Sequence, residues 1–219
     1  PHRAVSGRWA AGGLRGVGSG MSNRYDLNRG TIHRAYAEDI YPTMEPGSVR
    51  LVISDGPYFL QKAAWDKGKL DDLPAWYAPH IEAWSRVCMP SASVYLWNTA
   101  EGWARLDPVM RAAGWTLKSL IVWDKMNTAG SMAWEKIDHF PETHEVCGHY
   151  SRGDAPFKST FPRSVWSLAI QSWAHERVTN GNRKPGARNQ DGATCMVSEA
   201  VHPCQKPLTF SDRMIRASS

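Results

Sequence analysis

The spacing of apolar positions along this chain changes several times, and each change marks an element. Val49 to Ile53 is a short β-branched run closed by Ser54-Asp55-Gly56-Pro57, which predicts a strand ending in a turn. From Asp72 to Met89 the residues Leu73, Trp76, Tyr77, Ile81, Trp84 and Val87 recur near helical spacing, and Pro90-Ser91 predicts the stop. Ser93 to Trp97 is β-branched and aromatic, a second strand. Gly102 to Ala113 predicts a helix closed by Gly114. Trp115 to Asp124 predicts a third strand, Lys125 to Pro141 a polar loop, and Thr143 to Tyr150 a fourth strand. Upstream, Thr31 to Tyr36 predicts an extended piece and Glu38 to Met44 a helical turn. Leu208 to Ala217 predicts a final helix, with Pro207 suited to its first turn. Strands alternating with helices at this rhythm predict an α/β sheet covered on both faces.

The rhythm fails after Tyr150. Residues 151–200 are turn-rich, with seven basic residues (Arg152, Lys158, Arg163, Arg177, Arg183, Lys184, Arg188) against four acids (Asp154, Glu176, Asp191, Glu199). Two readings stand, an insertion that meets an anion or an ordinary solvated loop. Residues 1–20 form a basic, Gly-rich tail. Its Gly16-Val17-Gly18-Ser19-Gly20 follows no predicted strand and lacks the Lys-Ser/Thr ending of a phosphate loop, so disorder is expected there. The predicted organisation is a tail over 1–20, a catalytic α/β part over 21–150, an insertion over 151–200 and a return to the core over 201–219.

Charge adds a hint of the partner. Lysine and arginine number 26 against 21 acids, a formal charge of +5, which suits a polyanion without requiring one. Eleven tryptophans fit base stacking as well as a heavy core. No apolar run of about 18 residues predicts a membrane span. The start lacks a hydrophobic leader, so the cytoplasm is expected. The four cysteines show no CxxC pairing, and on a strand His144 faces away from Cys147. No metal is predicted, and the thiols are expected to be reduced.

Chemistry concentrates in two motifs. Asp55-Gly56-Pro57-Tyr58 stands at the carboxyl end of a strand, where open α/β sheets bind ligands. Asp55 and a nearby carbonyl can accept hydrogen bonds from an amine, and Tyr58 offers a stacking face to a planar base. By itself this is equally well a plain turn. The second motif, His202-Pro203-Cys204-Gln205-Lys206-Pro207, sets polar groups beside a helix amino terminus, a place that favours anions.

Together, in this order, the two motifs resemble those of the β-group of amino-methylating DNA methyltransferases, from about Thr31 to the end. That family carries Asp-Pro-Pro-Tyr and His-Pro-Thr-Gln-Lys-Pro. Trp65-Asp66-Lys67, Arg86-Val87-Cys88-Met89-Pro90, Trp123-Asp124-Lys125, His144-Glu145 and Ser164-Val165-Trp166 are similar to further family stretches. The resemblance implies a circularly permuted, Rossmann-like S-adenosylmethionine-dependent methyltransferase fold with a target-recognition insertion. It implies methyl transfer to the N6 amine of adenine in double-stranded DNA, of restriction–modification type. Asp55 in the first loop position favours adenine, where cytosine-N4 enzymes usually carry Ser. Asp55, Gly56, Pro57 and Tyr58 are then catalytic, and Asp55, His202, Gln205 and Lys206 border the cofactor. Lys125, Arg152, Lys158, Arg163, Arg183, Lys184 and Arg188 are the expected DNA contacts.

Three departures shape the expectation. Gly56 stands where the family has proline. The family's early Gly-Asp has no clear match near Ala35-Tyr36, with Glu38 or Asp39 reached only by a shift. The Phe-x-Gly-x-Gly cofactor loop has no counterpart, so a homodimer or a second chain is expected to supply that half. The rival readings are a non-catalytic DNA-binding remnant and a cytosine-N4 enzyme.

Overall fold

The computed structural model describes residues 24–27, 30–61, 66–126, 138, 140–159, 161, 163–168, 179–188, 194–200 and 206–219. The tail over 1–20, Trp65, most of the loop after Met126, His202 and Gln205 lie outside the described residues.

A central five-stranded sheet organises the chain. Its strands are β3 (Val49–Ser54), β4 (Cys88–Asn98), β5 (Thr116–Asp124), β6 (His144–Ser151) and β7 (Val165–Ser167), arranged in the order β3-β4-β6-β5-β7. β3 runs parallel to β4 and β5 parallel to β7, while β6 is antiparallel to both of its neighbours. Before the sheet come a hairpin of β1 (Arg24–Leu27) and β2 (Gly30–His33), then the short helix α1 (Ala37–Ile40). The helices α2 (Leu73–Val87) and α3 (Ala100–Ala112) follow β3 and β4, and α4 (Leu208–Ser218) ends the chain. A second hairpin, β8 (Thr179–Arg188) with β9 (Thr194–Ala200), forms its own two-stranded sheet.

Alternation along β4 builds both layers. Val94 and Leu96 face a core with Leu73, Tyr77, Ile81 and Trp84 of α2 and Leu106 and Met110 of α3. Tyr95 and Trp97 face the opposite side, where Phe210 and Met214 of α4 join Trp123, Cys147 and Trp166. The expected double covering of the sheet is therefore present. α2 buries a single stripe, with Pro74 in its first turn, where a missing N–H costs nothing.

Several expected boundaries move. β4 begins at Cys88, inside the expected helix, because Cys88 is already extended (ψ 146°) while its N–H still closes the last turn onto Trp84. β7 lies within the stretch expected to be an insertion, yet it pairs with β5 and buries Trp166. The β8–β9 hairpin likewise falls in a stretch expected to be turns. None of the described helices is long and apolar enough to cross a membrane.

Candidate active site

β3 ends at Ser54, and the next four residues carry the first motif across the carboxyl edge of the sheet. The loop beyond is clamped by Asp66, only 4 % exposed. Its carboxylate accepts the backbone N–H groups of Tyr58 (2.9 Å), Phe59 (2.7 Å) and Leu60 (3.0 Å). Gln61 N–H donates to the Asp66 carbonyl at 3.1 Å. These bonds offset real strain, because Phe59 and Gln61 both hold φ of +56°, a left-handed conformation costly for side chains of their size. Gly68 completes the loop. Its φ is +147°, and a Cβ there would lie 2.7 Å from the Phe59 ring.

Inside this loop Tyr58 turns its hydroxyl toward two carboxylates, Asp55 Oδ1 at 3.1 Å and Glu145 Oε2 at 3.0 Å. One hydroxyl proton serves one acceptor at a time. Burial first, and then the charges of Asp55 and Glu145, push the Tyr58 phenol well above its ordinary range. It is a neutral donor.

Lys206 arrives from the far end of the chain. Its Nζ stands 2.9 Å from Asp55 Oδ1 and 3.0 Å from Glu145 Oε2. The same ammonium lies 5.1 Å from the Tyr58 ring centre, 5.7 Å from Trp97 and 5.9 Å from Trp123. Lys125 Nζ closes the cluster at 2.6 Å from Glu145 Oε1. Burial alone would raise the Glu145 carboxyl, but Lys206 and Lys125 outweigh it and hold the group below its ordinary value. Burial alone would lower Lys206, but Asp55 and Glu145 outweigh it and raise the ammonium instead. Glu145 and Lys206 are both ionised near neutrality, and the cluster is a cage of acids and aromatic rings that hosts a cation.

Of the residues expected at the site, Asp55, Gly56, Pro57, Tyr58 and Lys206 come together. Lys125, expected against DNA, sits in this cluster beside Glu145. Arg152, also expected against DNA, is turned into the scaffold. It donates to Ser85 O (3.1 Å), to Ser85 Oγ (2.7 Å) and to Ala113 O, and it lies over the Trp115 ring at 4.4 Å. Lys158 and Arg163 are exposed. Arg183, Lys184 and Arg188 belong to β8, where Arg183 pairs with Ser198 and Lys184 with Val197. Sequence reasoning proposed no site role for Glu145 or Asp66. The signal for each was present in the His144-Glu145 and Trp65-Asp66-Lys67 resemblances.

A sheet with helices on both faces and an Asp-x-Pro-Tyr loop at its carboxyl edge defines an α/β methyltransferase-type enzyme. The chain belongs to the DNA methylase family, whose sequence profile matches residues 49–219, so it is a DNA methyltransferase of the N6/N4 type. It is 24 % identical over 216 residues to the type II methyltransferase M1.MboII of Moraxella bovis, covering 86 % of this chain and 78 % of that one. Its fold is similar to that of PvuII DNA methyltransferase (cytosine-N4-specific), with a TM-score of 0.59 at 12 % identity over 85 % of this chain and 69 % of that one. It is also similar to M1.HpyAVI, solved as a SAM complex, with a TM-score of 0.51 at 13 % identity, covering 84 % and 70 % of the two chains.

Proposed function

We propose that the chain methylates the exocyclic N6 amine of adenine within a specific site in duplex DNA, in the cytoplasm, using S-adenosylmethionine. The observation that carries this reading is the convergence of Asp55, Tyr58 and Lys206 at the carboxyl end of β3. Asp, rather than Ser, in the first loop position favours adenine over cytosine.

The residues present fit the cofactor. Asp55, Glu145 and the rings of Tyr58, Trp97 and Trp123 stabilise the Lys206 ammonium here, and acids and aromatic faces are also what a sulfonium packs against. When bound, S-adenosylmethionine supplies an electrophilic methyl group on that sulfonium. Asp55 and Lys206 would border it, with His202 and Gln205 proposed beside them. The target base must leave the helix, since its amine is paired in the duplex. Asp55 and the Gly56 carbonyl would then accept the two amine hydrogens, leaving the nitrogen lone pair free to attack. Tyr58 packs against the base, and Pro57 stiffens the loop between them. Orientation supplies most of the rate in such a transfer.

Lys158, Arg163, Arg183, Lys184 and Arg188 are the proposed phosphate contacts, in a recognition insertion over residues 151–200 that also carries the sheet strand β7. Lys125 and Arg152 are left out because both are engaged inside the protein.

Methyl transfer from tritiated cofactor, followed by hydrolysis of the DNA and separation of the bases, tests the reading. Label in N6-methyladenine is expected, and label in N4-methylcytosine would overturn the choice of base. Asp55→Ala should lose transfer while DNA binding stays within about threefold, because the acid meets the amine rather than phosphate. Neutralising Arg183, Lys184 and Arg188 together should flatten the salt dependence of binding by roughly 0.9 in log–log slope per lost contact. An unchanged slope would remove them from the interface.

A further inference from the structure

Gly56 is the position where this chain departs from the Asp-Pro-Pro-Tyr pattern, and its backbone does not explain the departure. The described glycines with left-handed φ are Gly47, Gly68, Gly114 and Gly153, and Gly56 is not among them. The residue before a proline is held extended in any case, which many side chains accept. What excludes a side chain is Tyr77 of α2. A Cβ on Gly56 would lie 2.5 Å from Tyr77 Oη and 3.3 Å from Cζ, with the Trp76 ring at 3.6 Å.

Tyr77 is itself fixed. It is 1 % exposed and packs edge-on against Trp76 at 4.8 Å between ring centres. Its hydroxyl donates to the Pro57 carbonyl at 3.5 Å and lies directly against the Gly56 Cα side of the loop. Gly56 and Pro57 follow Asp55 directly, so Tyr77 presses on the loop just beyond the acid. Burial, and after it the charge of Asp55, pushes the phenol up, so it stays protonated and keeps its donor.

We propose that Tyr77 is a positioning residue for the catalytic loop, and that Gly56 and Tyr77 are a matched pair. A proline ring would hold residue 56 covalently. Here the Tyr77 ring end packs directly on Gly56 and its hydroxyl reaches the Pro57 carbonyl, and glycine is needed to admit it. A proline at 56 collides with that oxygen. Phenylalanine at 77 removes the oxygen and leaves the nearest ring carbon at 3.3 Å, a distance that a small shift relieves. This inference rests on the methyltransferase reading for its kinetic consequence but not for its structural one.

The test is a double-mutant cycle over Gly56→Pro and Tyr77→Phe, followed by melting temperature and by kcat and KM for methyl transfer. Each single variant should lower kcat about tenfold or more while KM for DNA and cofactor moves less than about threefold. The double variant should recover both kcat and melting temperature well above Gly56→Pro alone, because the collision is gone and the ring now holds the loop. Independent, multiplicative effects of the two substitutions would overturn the pairing, as would a Tyr77→Phe variant with unchanged kcat. Gly56→Ala, which keeps the N–H and adds only the methyl group, replaces Gly56→Pro if that variant fails to fold. If the wild-type protein transfers no methyl group, the function is wrong and the melting cycle alone decides. Rescue of stability in the double variant then supports the pairing, and additive losses overturn it.

Discussion

Lys206 Nζ stands 2.9 Å from Asp55 Oδ1 although 151 positions separate them along the chain. The contact closes the candidate site, because the same ammonium bonds Glu145 on β6, and Glu145 in turn holds Tyr58 and Lys125. Two acids and two ammonium groups thus share one corner. Glu145, Lys125 and Lys206 are largely buried there and Asp55 meets solvent, so removing Lys206 is costlier than loss of a fully exposed pair.

Lys206→Met should therefore cost about 3 kcal/mol in urea unfolding at pH 7, since it leaves Asp55 and Glu145 short of a cation. The pH dependence has a definite sign. Glu145 is depressed below 4.5, so its contribution is complete above that pH and is lost as pH falls through its lower folded value. Lys206 is raised above 10.5, so its contribution is complete below that pH and is lost as pH rises through its higher folded value. The gap between wild type and variant should be widest between these limits and narrow in acid. A gap that persists unchanged at pH 3 would mean that packing, not charge, holds the cluster.

Asp66→Ala should loosen the catalytic loop. Three backbone N–H groups lose their acceptor, and the left-handed Phe59 and Gln61 lose what holds them. A loss of about 2–3 kcal/mol is expected, with Asp66→Asn in between because its amide oxygen can still accept. Unfolding curves of the two variants check it. A change within about 0.5 kcal/mol for Asp66→Ala would show that the loop stands without the clamp.

Moderate acid should weaken the fold through His149. Burial, with Lys118 adding to it, pulls this imidazole down to about 4, where it stacks on Tyr95 at 4.4 Å between ring centres. The unfolded chain binds a proton near pH 6.5 and the folded one does not, so stability should fall as pH drops from about 6.5 toward 4. The loss is on the order of 3 kcal/mol. Melting temperatures of wild type and His149→Gln across that range measure it. Equal slopes for the two proteins would assign the acid sensitivity elsewhere.

Much of this architecture was legible in one dimension. The stripe Leu73, Tyr77, Ile81, Trp84 and the alternation of Val94 and Leu96 against Tyr95 and Trp97 follow from local periodicity, and periodicity is a property of the sequence alone. The Asp55 loop and Lys206 were legible too, because two motifs in fixed order narrow the chemistry. Three-residue β7 carries no period to read, and it is a strand only because the edge of β5 is there to pair with. Arg152 and Lys125 looked like phosphate contacts by charge. Whether a cation faces solvent or Ser85, Trp115 or Glu145 depends on what the sheet brings beside it. The order β3-β4-β6-β5 sets Asp55, Glu145 and Lys125 at one end of the sheet, and α4 on its second face returns Lys206 to them. Local preference decided the elements. Only tertiary packing, which pairs distant strands and removes water between their ends, decided which of their charges meet.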